Sequence, residues 1–178
     1  MKRRSKLLAF VGSVLAVGLL SGVTAAAADA GPRHDALEPV IQATRKFHRV
    51  DAATKAHYSL FTDVNGVTCI NGTAKQGNMG YHYVNGDLVG DGKIDPEQPE
   101  AVLYEKTKAG LQLTALEYIV TAAAWKGAQP PTLFGHQFMF IPAPNRFGLP
   151  DFYALHVWLY KDNPSGRFHP WNPDVKCP

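Results

Sequence analysis

The sequence lacks the features that define several common classes of protein. It has only two cysteines in 178 residues, which excludes a cysteine-rich zinc site. Its 18 basic residues outnumber 15 acidic ones, but four basic residues and one acidic residue lie within the first 30, which leaves 14 of each in the remainder. A chain without a basic excess is not built like a dedicated nucleic-acid-binding protein, so we expect no nucleic-acid partner.

Nucleophile and phosphate-binding motifs are also missing. Ser59 and Ser165 are the only serines after residue 30, and no Gly-x-Ser-x-Gly elbow surrounds either of them. Gly77 and Gly80 lack the preceding strand pattern and the following helix pattern that a phosphate-binding loop requires. The sequence therefore indicates neither a serine hydrolase nor a nucleotide-binding enzyme, and whether the protein is an enzyme stays open.

The amino terminus has the pattern of an export signal. Four basic residues precede an apolar run, and a stretch of small residues ending at Ala30 offers a cleavage site. We predict a cleaved signal peptide over 1–30 and one globular domain over 31–178, with Arg3 and Arg4 leaving twin-arginine export as the alternative to general secretion. No second apolar run of about 18 residues follows, so we expect a secreted or periplasmic protein with no membrane partner.

Export gives the two cysteines a role. An oxidising compartment favours a disulfide between Cys69 and Cys177, which are the only possible pair. The bridge would attach the carboxy-terminal tail to the body of the domain. Two free thiols are the alternative.

Hydropathy periodicity predicts helices at the start of the mature chain. Apolar residues at helical spacing predict a helix over 35–48, with Asp35 and Glu38 forming a capping box. A second helix is predicted over 52–58, capped by Asp51.

The period then changes to two, which is typical of strands. The predicted strands cover 81–84, 101–105, 111–122, 136–141 and 151–160. The segments 65–80 and 86–99 are predicted as a loop and a series of turns. Successive strands with short links indicate an α+β fold, with the N-terminal helices packed on a curved, mainly antiparallel sheet or partial barrel.

Six short motifs give the chain a distinctive pattern. They are 77–85 (GNMGYHYVN), 99–105 (PEAVLYE), 116–118 (LEY), 152–158 (FYALHVW), 163–166 (NPSG) and 171–173 (WNP). From about residue 36 to the end, this pattern resembles a family of exported bacterial proteins that has no assigned activity. The resemblance implies export and a single domain, and it implies no catalytic role.

Four polar residues stand out within the predicted strands. His156 shares its strand face with Phe152, Ala154, Trp158 and Tyr160. Glu117 shares its face with Leu113, Ala115 and Ile119. A titratable group among such neighbours is costly to bury unless it is paired, hydrogen-bonded or bound to a cation. His82 and Glu105 lie in the two preceding strands, and if all four strands are neighbours, the four side chains converge.

Three hypotheses follow from such a cluster. In the first, the two imidazoles and one or both carboxylates bind one transition metal ion, because these groups suit zinc, copper, iron and manganese. In the second, Glu117 and His156 are the acid–base pair of a small metal-free secreted enzyme. In the third, the residues form a buried hydrogen-bond network that only specifies the fold.

The leading hypothesis is a monomeric binding protein with a buried His/Glu metal site, whose partner is a metal ion or a small molecule. His136, which lies between apolar neighbours, is a reserve ligand. A structural or interaction protein with no chemistry is the last alternative.

One segment partly matches a calcium-binding loop. Asp87, Asp91 and Asp95 fall at loop positions 1, 5 and 9. Val89 and Gln98, however, occupy positions 3 and 12, where an oxygen ligand and a bidentate Glu are needed. We therefore expect a turn between strands here, with a weak extracellular calcium site as the alternative.

Overall fold

The computed structural model describes residues 34–178, which contain helices followed by a mainly antiparallel sheet. The predicted signal peptide over 1–30 lies outside the described residues. No helix in the described part of the chain has the length and apolar character needed to cross a membrane.

The predicted helices over 35–48 and 52–58 form within a few residues of their predicted bounds, whereas a third, short helix forms where turns are predicted. They are α1 (His34–Thr44), a 3₁₀ turn (Arg45–His48), α2 (Val50–Lys55) and α3 (Gly86–Gly90). The predicted helix over 35–48 is confirmed, with its last turn tightened into the 3₁₀ form. Both predicted caps are wrong. Since α1 begins at His34, Asp35 lies inside it, and the residue that precedes α2 is Arg49 rather than Asp51.

The apolar face of these helices is buried against the sheet. Val40, Phe47 and Ala53 are at most 3% exposed and belong to one cluster with sheet residues such as Val102 and Tyr104. The Tyr104 hydroxyl donates a hydrogen bond of 2.7 Å to the backbone oxygen of Phe47. The first two helices therefore cover one face of the sheet, as predicted.

The strands form an open sheet. They are β1 (Ser59–Leu60), β2 (Cys69–Asn71), β3 (Asn78–Val84), β4 (Ala101–Thr107), β5 (Gly110–Thr121), β6 (Thr132–Leu133), β7 (His136–Gln137), β8 (Met139–Ile141) and β9 (Phe152–Val157). Seven of them form an antiparallel sheet in the order β1-β3-β4-β5-β9-β8, with β2 also paired to β3, while β6 and β7 form a separate pair. The described strands do not close into a barrel. The outer strands β1, β2 and β8 are only two or three residues long.

Several predicted boundaries are corrected by local contacts. The predicted loop over 65–80 contains β2 and the start of β3, and α3 follows Asn85, whose side chain accepts from the backbone N–H of Asp87 at 3.1 Å. The predicted strand over 136–141 is interrupted at Phe138, which is buried. The last strand ends at Val157, earlier than predicted.

The sheet separates two cores, and a β-bulge decides which residues face each one. Leu103 is paired with Ala115, but the next residue, Tyr104, is paired with Leu113, which leaves Thr114 as the extra residue. Leu113 therefore packs in the helix-covered core, whereas Ala115 packs in the other. The prediction that Leu113 shares a face with Glu117 is wrong for this reason.

The predicted disulfide is confirmed. Cys69 in β2 is bonded to Cys177, with their Cα atoms 5.7 Å apart and a sequence separation of 108. Val175 of the tail is fully buried in the second core. Asn78 and Asn172 exchange two backbone hydrogen bonds of 3.0 Å, so the tail is held by the sheet as well as by the disulfide.

Candidate metal centre

Three of the four predicted ligands meet in the second core. Nε2 of His82 lies 3.4 Å from Oε2 of Glu117, and Nδ1 of His156 lies 3.4 Å from Oε1 of the same carboxylate. One ligand atom from each residue lies within 4.8 Å of the other two. The three side chains are buried, with residue exposures of 3%, 6% and 3%. Such a group could hold a metal ion.

The strand register explains how these side chains meet. Glu117 in β5 lies directly opposite His156 in β9, as a cross-strand pair. His82 belongs to β3, which is separated from β5 by β4. The β4 partner of Glu117 is the fully buried Ala101. His82 is paired with Leu103, two residues along β4 from Ala101, so its imidazole reaches the carboxylate diagonally across β4, where Ala101 has only a methyl side chain.

A backbone carbonyl orients the His82 ring. Nδ1 of His82 lies 3.2 Å from the carbonyl oxygen of Gly80. When Nδ1 donates its proton to that oxygen, Nε2 keeps a lone pair on the side of Glu117. Histidines that bind metals are usually oriented by such a second hydrogen bond. Gly80 has φ +95°, and a β-carbon there would lie 2.5 Å from the oxygen of Tyr104, so the position requires glycine.

Two nitrogen atoms of the cluster are buried without a hydrogen bond. Among the residues that the structure describes, none provides a hydrogen-bond partner for Nε2 of His82 or of His156. The contacts of 3.4 Å with Glu117 also exceed the roughly 2.7–2.9 Å of a charge-assisted hydrogen bond. Two ligands that each lie about 2.0–2.1 Å from a tetrahedral ion are separated by about 3.3–3.4 Å. Both contacts with Glu117 therefore have a spacing that ligands around one ion can adopt.

Burial and neighbouring groups set the ionisation of the cluster. Burial raises the pKa of Glu117, but His156 and His82 outweigh it and hold this pKa below its usual value. Burial lowers the pKa of His156 to about 4, against the opposing effect of Glu117. A carboxylate and a neutral imidazole are the forms of these groups that bind metal ions.

Glu105, the fourth predicted ligand, lies outside the cluster. It forms an ion pair of 3.0 Å with Lys161 and accepts a hydrogen bond of 2.8 Å from the backbone of Lys176. Glu117 is paired with Ala101, and Glu105 lies four residues further along β4, which is about 13 Å. A shared strand face does not imply the same position along the strand.

The reserve ligand His136 also lies outside the cluster. It is half-buried on β7 and stacks on Phe168, with ring centroids 3.8 Å apart. The proposal of a metal site therefore rests on His82, Glu117 and His156.

Glu100 is a second buried carboxyl group, for which strand alternation gives no signal because the residue precedes β4. It is 2% exposed, and its Oε2 accepts a hydrogen bond of 2.8 Å from the backbone N–H of Ile119. Burial raises the pKa of Glu100 to about 8, against the lowering effect of that hydrogen bond. The carboxyl group is therefore mostly protonated at neutral pH.

Replacing Glu100 with glutamine is expected to flatten the pH dependence of stability. The folded group has its pKa raised from 4.5 to about 8, so its contribution is full below about pH 4.5 and is lost as the pH rises through about 8. The wild-type free energy of unfolding should fall by about 3–5 kcal/mol over this range relative to the variant. The other titratable groups around it, present in both proteins, are Asp91, Glu117, Tyr58 and Tyr118. Urea unfolding between pH 5 and 9 measures the difference, and equal slopes would contradict the assignment.

A cavity of about 180 Å³ reaches the cluster. Its buried floor includes His82 and Glu117, and its rim is half-buried or exposed. The remaining lining residues are Phe61, Val84, Gly86, Val89, Ile119, Phe147, Leu149 and Phe152. Most of them come from loops or short elements that are distant in sequence. Hydropathy periodicity therefore cannot predict that they line one cavity.

Comparison of the chain with protein-family models, with curated proteins and with solved structures finds no match. The function is therefore argued from the geometry of the cluster and of the cavity beside it.

Proposed function

We propose that this protein is an exported metal-binding protein that holds one divalent transition metal ion at His82, Glu117 and His156. The observation that carries the proposal is the buried group of two imidazoles and one carboxylate whose ligand atoms lie within 4.8 Å of one another. This donor set is used by proteins for zinc and for non-haem iron, and it leaves coordination positions open for water or another ligand.

The charge of the cluster supports the same proposal. Among residues 34–178, Glu117 forms ion-pair contacts with the two histidines, and no lysine or arginine forms an ion pair with it. If the imidazoles are neutral, the buried carboxylate has no counter-charge, which is costly in a protein interior. A divalent cation would supply this charge and would also bond Nε2 of His82, which faces Glu117 and lacks a hydrogen-bond partner.

Export is supported by a separate observation. A disulfide that links residues 108 apart in sequence is typical of proteins that fold in an oxidising compartment. This agrees with the signal peptide that the sequence predicts over 1–30. We therefore place the metal site in a secreted or periplasmic protein.

A zinc titration tests the proposal. The full chain is exported, purified without a histidine tag, treated with a chelator and titrated with zinc sulfate. We expect uptake of one equivalent, and stabilisation by about 2.7 kcal/mol when free zinc is one hundred times the dissociation constant. The His57→Asn variant, which removes an exposed histidine outside the cluster, should behave like the wild type. Absence of both uptake and stabilisation would refute the proposal.

A second candidate function is favoured by the cavity. Because the cavity reaches Glu117, this carboxylate could act as a general base on a small molecule, with His156 as its partner and no metal. The two candidates differ in the titration. A metal-free enzyme would take up no zinc and would not be stabilised by it.

A further inference from the structure

We infer that the cavity beside the cluster binds a small apolar carboxylate of about the size of one aromatic ring, whose anionic head ligates the metal ion. This inference rests on the proposed function, because the metal ion is what attracts the head group. It adds a ligand class and a binding site to the metal centre.

The size and lining of the cavity determine how large the ligand can be and require the part of it inside the cavity to be apolar. Its volume of about 180 Å³ is comparable to that of an apolar cavity that accommodates benzene, about 150 Å³. Phe61, Phe147 and Phe152 form a continuous aromatic side, with successive ring centroids 6.2 and 5.8 Å apart. Polar groups are confined to the floor, at His82 and Glu117. A ligand with polar atoms along its body would leave them without hydrogen bonds.

The charge at the buried end of the cavity determines the charge of the ligand's head group. One divalent cation and one Glu117 carboxylate leave a net positive charge that an anionic ligand neutralises. Within the described part of the chain, no lysine or arginine lines the cavity. A carboxylate therefore has no cation to bind other than the metal ion, and without the metal it would face the negative charge of Glu117.

The side of the cavity that carries Phe147 is held in place by a buried ion pair. The preceding residue, Arg146, donates hydrogen bonds of 2.7 and 3.0 Å to Oδ2 of Asp63, whose side chain is 0% exposed. Arg146 also donates to the backbone oxygen of Asn71 at 2.7 Å. This loop is thereby attached to the segments around β2, so the cavity is formed before a ligand enters.

Calorimetry with sodium benzoate tests the inference on the full-length protein after export. Zinc uptake is measured first, and benzoate is then titrated into the zinc-loaded and the chelator-treated protein. We expect benzoate to bind the zinc-loaded form at least about ten-fold more tightly, because a charge-assisted contact is gained. Acetate, which has the same head group and no ring, should bind the zinc-loaded form more weakly than benzoate.

Two variants locate the benzoate. Leu149→Asp places a negative charge at the rim, and Gly86→Leu narrows the mouth at a position where a β-carbon meets no atom within 4 Å. Both should weaken benzoate binding and leave zinc stoichiometry unchanged. Since Gly86→Leu has room for its β-carbon, it keeps the test valid if Leu149→Asp does not fold.

Three results would overturn the inference while leaving the metal site intact. They are benzoate binding no tighter than acetate, equal binding with and without zinc, and unchanged benzoate affinity in both folded variants. Failure of the protein to take up zinc would overturn the proposed function, and the inference with it. The zinc step therefore separates the two failures.

Discussion

Glu117→Gln is expected to weaken zinc binding by more than about 100-fold. Losing an outer hydrogen-bond partner of a metal ligand already costs about 10–100-fold in affinity, and this substitution removes a ligand together with its negative charge. The glutamine amide has nearly the same shape, so the buried space stays filled. Competition with a chromophoric chelator measures the affinity of wild type and variant.

Glu105→Gln is the matched control for this substitution. It makes the same chemical change on the same face of the sheet, but Glu105 pairs with Lys161 outside the cluster. We expect one equivalent of zinc with wild-type affinity, together with a loss of stability because the ion pair of the buried Glu105 with Lys161 is broken. If Glu117→Gln bound zinc as tightly as Glu105→Gln, Glu117 would not be a ligand.

Removing the disulfide is expected to have the largest effect on stability. The Cys69→Ala, Cys177→Ala double variant opens a loop that spans 108 residues in sequence. Chain-entropy arguments give a loss of about 4–5 kcal/mol for a loop of this length, and residual structure in the unfolded state reduces that figure. Denaturant unfolding of the oxidised wild type and the variant measures the difference.

Reduction of the wild type is the control for this variant. Unfolding in the presence of dithiothreitol should give a free energy close to that of the double variant, because the same constraint is lost. The tail keeps its backbone bonds to Asn78 and its buried Val175, so both proteins should remain folded in the absence of denaturant. A difference of less than about 1 kcal/mol between oxidised and reduced protein would contradict the account.

Strand alternation predicted the candidate site well where residues lie directly across from each other. Glu117 and His156 were placed on apolar strands by their period of two, and they form a cross-strand pair. His82 joins them because Ala101 is small and because the carbonyl of Gly80 orients its ring. Neither property can be predicted from hydropathy periodicity, which does not give the register between neighbouring strands.

The failures of prediction have local physical causes. Glu105 shares a face with the cluster but lies too far along β4, since alternation fixes the face and not the distance. Leu113 changes face at the bulge formed by Thr114, whose hydroxyl donates to the backbone oxygen of Leu103 at 3.1 Å. Bulges depend on pairing with another strand, so a single sequence carries little signal for them.

The loops were the hardest part to predict for the same reason. The loop that carries Phe147 is held by the contact of Arg146 with Asp63, 83 residues earlier in the chain. An ion pair between residues so far apart in sequence cannot be predicted from local composition. The cavity beside the metal centre could therefore be recognised only once the chain was folded.

Elemental analysis of the protein, exported under its own amino-terminal segment and purified without a tag, shows whether the cluster holds a metal ion. The proposed metal site requires one equivalent of a single transition metal in the wild type and in Glu105→Gln, and its loss in His156→Ala. A wild-type protein that carries no transition metal and takes none up from zinc, iron, manganese or copper solutions would contradict it.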